Sequence, residues 1–217
     1  MDRLFIWLSP AFPVGAFAYS HGLEWAYHAG LVGDATTLQD WLEDLVTRGS
    51  WHNDAILFAL AHGLIMRRDR SGYQGLCALA LALSASRERH QETIQQGNAM
   101  LIAARASWPC ESLELTEGDT PYPLALAILT AGHGLTREQV LLPYGLAFVQ
   151  NLVSASIRLG IIGQTAGQNI LAALVPTVTT QAQKASDATL DDLANTAFMA
   201  DFASLQHETI DTRIFRS

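Results

Sequence analysis

Two histidines and a glutamate near the start of the chain have the spacing best suited to metal chemistry. His21, Glu24 and His28 are three and four residues apart, so on a regular helix they would share one face. Imidazole and carboxylate groups bind zinc, and such a trio could serve a metal-dependent hydrolase. The sequence has no H-E-x-x-H pair, however, and it fixes no third ligand. We therefore predict no metal site and no cofactor, and we keep the hydrolase as an alternative.

The remaining nucleophiles and histidines form no catalytic pattern. His207 precedes Glu208, but adjacent residues on a helix point in different directions. The sequence contains no G-x-S-x-G elbow, and its glycine-rich run at 160–167 lacks the Lys-Ser or Lys-Thr of a phosphate-binding loop. Cys77 and Cys110 lie far apart, which favours neither a zinc cage nor a disulfide scaffold. We predict that the protein is not an enzyme.

The composition limits the partners and the compartment. With 21 acidic and 13 basic side chains the net charge is −8, which argues against binding to nucleic acid. No apolar run reaches the roughly 18 residues of a membrane span, and no secretory signal is apparent. Apolar residues make up 49% and charged residues only 16%. We expect a cytoplasmic protein, with no membrane or nucleic-acid partner, whose apolar surface other protein partly covers.

Both ends of the chain are unusual for exposed segments. Residues 9–20 combine two prolines and a glycine with three aromatic side chains, so this rigid loop should pack against its own domain or against a partner. The end of the chain, 207–217, has arginines on both sides of Ile214 and Phe215. Arginine and phenylalanine are enriched at interfaces, which favours a docking tail over a frayed end.

A glycine- and glutamine-containing segment could bring two helices or two chains together. Gly160, Gly163 and Gly167 would allow a close approach, and the amides of Gln164 and Gln168 could bridge the two sides. A simple turn between two helices is the alternative.

Helical periodicity and capping patterns recur along the chain. We predict an all-α fold: a single-domain compact bundle of about nine to ten helices over residues 1–217, with an N-terminal loop at 1–20 and a docking tail at 207–217. The segment 140–159 carries one charge, Arg158, and should lie at the centre. The predicted helices are 21–29, 37–48, 51–67, 73–84, 86–106, 122–132, 136–160, 165–183 and 189–198. The predicted capping boxes are Thr37 with Asp40, Thr136 with Gln139, Thr165 with Gln168, and Thr189 with Asp192.

Three sequence blocks resemble a known family. Residues 9–24 read Ser-Pro-Ala-Phe-Pro-Val-Gly-Ala-Phe-Ala-Tyr-Ser-His-Gly-Leu-Glu, residues 151–155 read Asn-Leu-Val-Ser-Ala before two Gly-Gln pairs, and the end carries His-Glu-Thr and Arg-Ile-Phe-Arg-Ser. In this order the blocks are similar to those of the urease accessory protein F (UreF) family. The chain has Ile161 and Ile162 where that family usually has Pro-Leu.

The resemblance implies a helical adaptor that dimerises, binds urease accessory protein D (also called H) and, through it, recruits the GTPase accessory protein G. This assembly delivers nickel to apo-urease. Tyr19 and Arg213 match family positions implicated in recruiting the GTPase, and Ser20 and Glu24 belong to the same block. A helical structural protein unrelated to urease is a further alternative.

The resemblance also assigns a role to the tail. The segment that contains His207, Glu208, Ile214, Phe215 and Arg216 matches a part of the family that becomes ordered on binding accessory protein D. Both ends of the chain are therefore expected to be docking surfaces for protein partners.

Overall fold

Helices account for all the regular secondary structure of residues 2–217, the part of the chain that this computed structural model describes. This confirms the all-α prediction, and ten α-helices lie within these residues. They are α1 (Asp2–Trp7), α2 (Leu23–His28), α3 (Ala35–Arg48), α4 (Ser50–Met66), α5 (Arg70–Ala82), α6 (Arg87–Ser107), α7 (Tyr122–Gly132), α8 (Arg137–Arg158), α9 (Gln164–Ser186) and α10 (Phe198–His207). Short 3-10 helices occupy Ala16–Ala18, Glu111–Leu115 and Leu190–Asp192.

The prediction was wrong at both ends of the chain. The segment 1–20 is not all loop, because α1 occupies Asp2–Trp7; Met1 lies outside the described residues. No α-helix runs over 189–198. Thr189 and Asp192 do form a capping box, but it closes only a 3-10 turn. Residues 193–197 then have no regular secondary structure, and the Thr196 amide donates to the Arg48 carbonyl, 3.0 Å away.

Two of the other predicted capping boxes were misplaced. Thr136 and Gln139 do cap α8 reciprocally. For α3, however, the capping residue is Asp34, and Thr37 is its partner three positions later. Thr165 lies inside α9, which starts after Gly163.

Helix α8 is the long apolar helix that the sequence placed at the centre. It packs along α9 and also contacts α3 and α4. By length and composition alone α8 is apolar enough to cross a membrane, which corrects the expectation that no segment would pass that test. Half of its most apolar stretch is buried inside the bundle. Helix α7 is buried along nearly all of its length, so α7 shares the centre of the core.

Close packing of α8 depends on glycines without room for a side chain. A Cβ atom on Gly145 would lie 2.7 Å from the Trp51 ring and 2.6 Å from Val178, and one on Gly167 would lie 2.9 Å from Val153. The close-packing role predicted for Gly167 thus has a physical basis. Gly163 faces open space, and Gln164 and Gln168 are exposed. Their bridging role stays a prediction.

The opening loop and α10 approach each other closely beside α2. Gly22 has a left-handed φ of 77°, which favours glycine. A Cβ atom there would lie 2.7 Å from the backbone nitrogen of Ser204 in α10. Helix α10 packs on α2 and on α6. This arrangement brings residues 19–24 and the segment after α10 to the same place.

Candidate functional site

The two ends of the chain meet in one structure. The Arg216 amide donates to the Ala18 carbonyl at 2.8 Å, and the Ser20 amide donates to the Ser217 carbonyl at 2.6 Å. The Ser20 hydroxyl donates to the same carbonyl at 2.5 Å. We call residues 208–217 the C-terminal tail. The tail lies along the opening loop, so this loop packs against its own chain, one of the two alternatives that the sequence left open.

Glu24 holds the tail through its backbone. One carboxylate oxygen accepts the Ile214 amide at 2.7 Å, and the other accepts the Phe215 amide at 2.9 Å. Glu24 is only 1% exposed, and it lies in the first turn of α2. Hydrogen bonds to an ionised carboxylate are stronger than those between neutral groups, so Glu24 is the principal anchor of the tail.

His207 joins the acidic side chains of two helices at the end of α10. Its Nδ1 lies 2.7 Å from a Glu88 oxygen, and its Nε2 lies 3.2 Å from Glu24. The His207 side chain is completely buried. Arg213 of the tail donates to the second oxygen of Glu88. Glu88 therefore ties both α10 and the tail to α6.

Side-chain packing fixes the last residues of the tail. Phe215 is 3% exposed, and the Arg158 guanidinium lies 4.5 Å from the centre of its ring, a favourable cation–π distance. The Ser217 hydroxyl donates to Glu92 at 2.9 Å. Tyr19 donates its hydroxyl to Gln95 at 2.7 Å, and burial raises the Tyr19 pKa, which keeps this donor protonated.

A buried ion pair lies directly behind the tail. Glu92 pairs with Arg89 at 2.5 Å and with His21 at 3.0 Å. Burial by itself would raise the Glu92 pKa, but the Arg89 charge and then His21 outweigh it and hold the pKa at about 2. Burial lowers the pKa of His21, and the Arg89 charge adds to this effect. His21 adopts a left-handed φ of 54°, uncommon for a residue with a side chain, which places its imidazole in this cluster.

A second carboxyl group faces the same guanidinium. Asp54 of α4 lies 3.8 Å from Arg89 and 3.5 Å from the Tyr144 hydroxyl. Burial raises the Asp54 pKa to about 6, although the Arg89 charge acts in the opposite direction. The Asp54 carboxyl therefore titrates close to neutral pH.

The alternative metal trio does not assemble. Helix α2 starts at Leu23, so His21 precedes it, and His28 is exposed at the opposite end of α2. Both carboxylate oxygens of Glu24 accept hydrogen bonds from backbone amides of the tail. Within residues 2–217 no three histidine, cysteine, aspartate or glutamate side chains are grouped to hold a metal ion. The three residues would share one face only on a regular helix that includes all of them, and His21 lies outside α2.

Comparison with known proteins identifies the family. Residues 32–175, more than half of the chain, match the UreF family model. The chain belongs to the UreF family. It is 48% identical over 219 residues to "Urease accessory protein UreF" of Methylorubrum populi, covering 99% of this chain and 98% of that protein. The identity to the Methylobacterium radiotolerans protein of the same name is also 48%, with 99% and 96% coverage.

A further relative, "Urease accessory protein UreF 1" of Brucella suis, is 47% identical over 215 residues, with 99% and 93% coverage. These matches confirm the family resemblance. They also extend over both ends of the chain, which lie outside the part that the family model matches. The docked tail therefore belongs to the region shared with UreF relatives.

In this UreF chain the predicted site residues divide by exposure. Five of them are buried beneath or beside the tail: Tyr19, Ser20, Glu24, His207 and Phe215. Three are exposed on the tail: Arg213, Ile214 and Arg216. Glu208 is partly buried and accepts the Arg87 amide at 2.9 Å. The buried residues can shape the surface, whereas a partner can touch only the exposed ones directly.

Sequence reasoning missed the α6 residues that complete the UreF site. Glu88, Arg89 and Glu92 lie in the run Arg-Glu-Arg-His-Gln-Glu. Because Glu88 and Glu92 are four residues apart, the sequence does indicate that they share one face of a helix. Such a charged face is typical of a solvent-exposed surface. Here it is buried because its partners, His21, Arg213 and Ser217, come from the two ends of the chain.

Proposed function

We propose that this chain is a non-enzymatic adaptor in urease maturation, which acts in the cytoplasm and joins accessory protein D (H) to the GTPase accessory protein G for nickel delivery to apo-urease. UreF family membership supports the link to urease. The observation that carries the adaptor role is the docked tail, whose alternate residues face inward and outward. Phe215 and Ser217 anchor it, while Ile214 and Arg216 are presented to a partner.

Accessory protein D docks on the outward face of α10 and the adjoining tail. The exposed fractions of Phe198, Met199, Phe202 and Leu205 are between 45% and 72%, although all four are apolar. A cluster of exposed apolar side chains on one helix marks a protein interface. Ile214 of the tail adds a further exposed apolar side chain, 65% accessible.

The GTPase is recruited through the exposed guanidinium groups of the tail. Arg213 and Arg216 are both exposed, and arginine is a frequent interface residue. Tyr19 is 4% exposed and bonded to Gln95, so it acts by holding the loop beneath the tail.

Co-purification of the full chain with accessory proteins D and G tests this function. We expect a stable complex with D, and G should join only when D is present. Absence of any complex, under conditions in which an established UreF-family adaptor binds both, would rule out the proposal.

Surface variants assign the two docking faces. Phe198→Ser with Met199→Ser should abolish binding of D, because it removes exposed apolar area. Ile102→Ser is the matched control, since Ile102 is an equally exposed apolar residue, 69% accessible, on α6.

Arg213→Ala and Tyr19→Ala test the assignment for the GTPase. Both should keep the helicity and weaken recruitment of G. Unchanged recruitment by both would contradict the assigned roles.

The chain acts as a homodimer. The exposed amides of Gln164 and Gln168, at the start of α9, would contribute to the contact between the two copies. We expect sedimentation of a dimer for the wild type and of a monomer for the double variant Gln164→Arg with Gln168→Arg. A dimer of unchanged stability in that variant would place the contact elsewhere.

A further inference from the structure

His207 places both of its ring nitrogens against carboxylates, and this contact determines how many protons the ring carries. Nδ1 lies 2.7 Å from a Glu88 oxygen, and Nε2 lies 3.2 Å from a Glu24 oxygen. We call these three side chains the acid–histidine bridge. A neutral imidazole has one N–H donor and one bare nitrogen, whereas an imidazolium has two donors. In either neutral form, a nitrogen lone pair would therefore point at a carboxylate oxygen.

The two carboxylates of the bridge have other donors besides the ring. Glu24 accepts one backbone amide of the tail with each of its oxygens. Glu88 accepts the Arg213 guanidinium with the oxygen that does not face His207. Ionised carboxylates accept such bonds more strongly than neutral groups do. Imidazole is also more basic than a carboxylate by about two pH units, so a further proton in the bridge belongs on the ring.

The charges of the bridge balance when the ring is protonated. Glu24 and Glu88 are 1% and 6% exposed, and among residues 2–217 Arg213 is the only arginine that pairs with either of them. Two buried carboxylates and one guanidinium leave one negative charge, which an imidazolium cancels. Burial of a charged ring is costly unless the charge is paired and hydrogen-bonded, as it is here. His207 is also the last residue of α10, where the helix dipole favours a cation.

We infer that His207 is an imidazolium in the docked structure, and that loss of one proton releases the end of α10 together with the tail. Without that proton the bare nitrogen repels the carboxylate that it faces. In the released state the ring is a solvated histidine, which is mostly neutral above about pH 7. The docked state therefore binds the proton more tightly, and docking weakens as the pH rises through the loss of this proton. This property belongs to the chain alone and does not depend on the adaptor function.

His207 is the group of the bridge that changes its charge in weakly alkaline solution. It faces Glu24 from α2, Glu88 from α6 and, across Glu88, Arg213 from the tail. Carboxylates stay ionised and arginine stays protonated between about pH 7 and pH 10. Burial raises the pKa of Tyr19, so this support of the opening loop also keeps its proton. A change in docking over this range therefore reports the imidazole.

Nitrogen-15 NMR of the full chain measures the protonation state of the ring directly. In an imidazolium both nitrogens carry hydrogen and have similar shifts, whereas the bare nitrogen of a neutral ring resonates far downfield. An ordinary histidine is about nine-tenths neutral at pH 7.5. We expect both His207 nitrogens to carry hydrogen at that pH. A bare nitrogen in the His207 ring would overturn the inference.

Raising the pH to about 10 tests the release of the tail. We expect the His207 ring to lose one proton, while the NMR signals of the buried Phe215 ring move in parallel to those of a solvated phenylalanine. The ratio of docked to free tail should fall at least about tenfold. A ring that keeps both protons at this pH, or a tail that stays docked after the proton is lost, would count against the release.

Two variants separate the effect of the proton from that of packing. Glu88→Gln removes one carboxylate and supplies an amide N–H for the bare nitrogen, so we expect His207 to become neutral at about pH 7.5. Glu208→Gln is the matched control, because Glu208 accepts the Arg87 amide and does not contact the ring. It should leave His207 protonated, and the same ring state in both variants would contradict the bridge. All of these measurements use the chain without D or G, so their outcome is separate from that of the co-purification.

Discussion

Glu24 uses both carboxylate oxygens to hold successive amides of the tail. In Glu24→Gln, the side-chain amide keeps one acceptor oxygen and turns its NH₂ group towards a backbone N–H. We expect the tail to detach at a cost of about 1–3 kcal/mol, with the helices unchanged. Hydrogen exchange at Ile214 and Phe215 should accelerate at least about tenfold. Glu114→Gln, at an exposed carboxylate, is the control, and equal protection in both variants would contradict the anchor role.

Asp54 should make the protein less stable as the pH rises through the weakly acidic range. Its pKa is about 6 in the folded chain, whereas the ordinary pKa of an aspartate side chain, taken for the unfolded chain, is 3.8. The unfolded state therefore binds fewer protons between these values, and the free energy of unfolding falls as the pH rises from about 4 to 6. Asp54→Asn removes this penalty. We expect the variant to gain about 1–3 kcal/mol over the wild type at pH 7.5 but little at pH 4.

Thermal unfolding of both proteins at the two pH values measures this difference. A gain of the same size at both would mean that the ionisation of Asp54 is not its cause. The contribution of Glu92 to stability changes with pH in the opposite direction, because its pKa lies near 2, below the ordinary glutamate pKa of 4.5. It stabilises the fold above pH 4.5, and this contribution disappears as the pH falls through 2.

The motif residues at the two ends were found from the sequence, but their neighbours were not. Tyr19, Glu24 and the tail stood out because prolines, aromatics and arginines are unusual in exposed loops and chain ends. Glu88 and Glu92 looked like an ordinary solvated helix face. Their burial follows from contacts with residues more than one hundred positions away, such as Arg213 and Ser217, and no local pattern encodes such a contact.

The packing of α8 against α4 and α9 relies on a missing side chain at Gly145. In Gly145→Ala the added Cβ atom would press against Trp51 and Val178. Overpacking costs about 1–3 kcal/mol, more than the gain of up to about 1 kcal/mol in helix propensity. Gly75→Ala is the matched control, since Gly75 lies on the exposed side of α5 with open space around it.

The two substitutions should shift the melting temperature in opposite directions. Gly145→Ala lowers it because of the clash, and Gly75→Ala raises it because alanine favours the helix. Stabilisation by both would show that α8 can move away from α4 without cost.

The helices that the sequence failed to predict share one property. Helix α10 turns Phe198, Met199, Phe202 and Leu205 outward, and α1 does the same with Phe5 and Ile6. Periodicity rules assume that apolar residues mark the buried face, so a helix with an apolar outer face gives a misleading pattern. Helices α3 to α9, whose apolar residues do face the core, were predicted to within a few residues. The same outer face of α10 is the proposed interface for accessory protein D.

At the scale of the whole molecule, the tail completes a site that the ten helices leave open. Without residues 208–217, Glu24, Glu88 and Glu92 lose the donors that the tail supplies. We expect this truncated chain to keep its helical circular dichroism, to melt at a lower temperature and to lose recruitment of the GTPase. His207 and Arg89 still contact these carboxylates, but the loss of the tail's donors to three buried acidic groups accounts for the lower stability.

A synthetic peptide of residues 208–217, added in trans, provides the control. It should restore part of the lost stability, whereas a peptide with the same composition in scrambled order should not. Equal effects of the two peptides would mean that the tail contributes charge alone.

The pairing of Ser20 with Ser217 also sets a time order for biosynthesis. Synthesis starts at the N-terminal end, so much of the helical core can form before residues 208–217 are added. The opening loop meets this partner only then, because Ser20 and Ser217 are almost two hundred positions apart. The contact between the loop and the tail would therefore be among the last to form as the protein folds during synthesis.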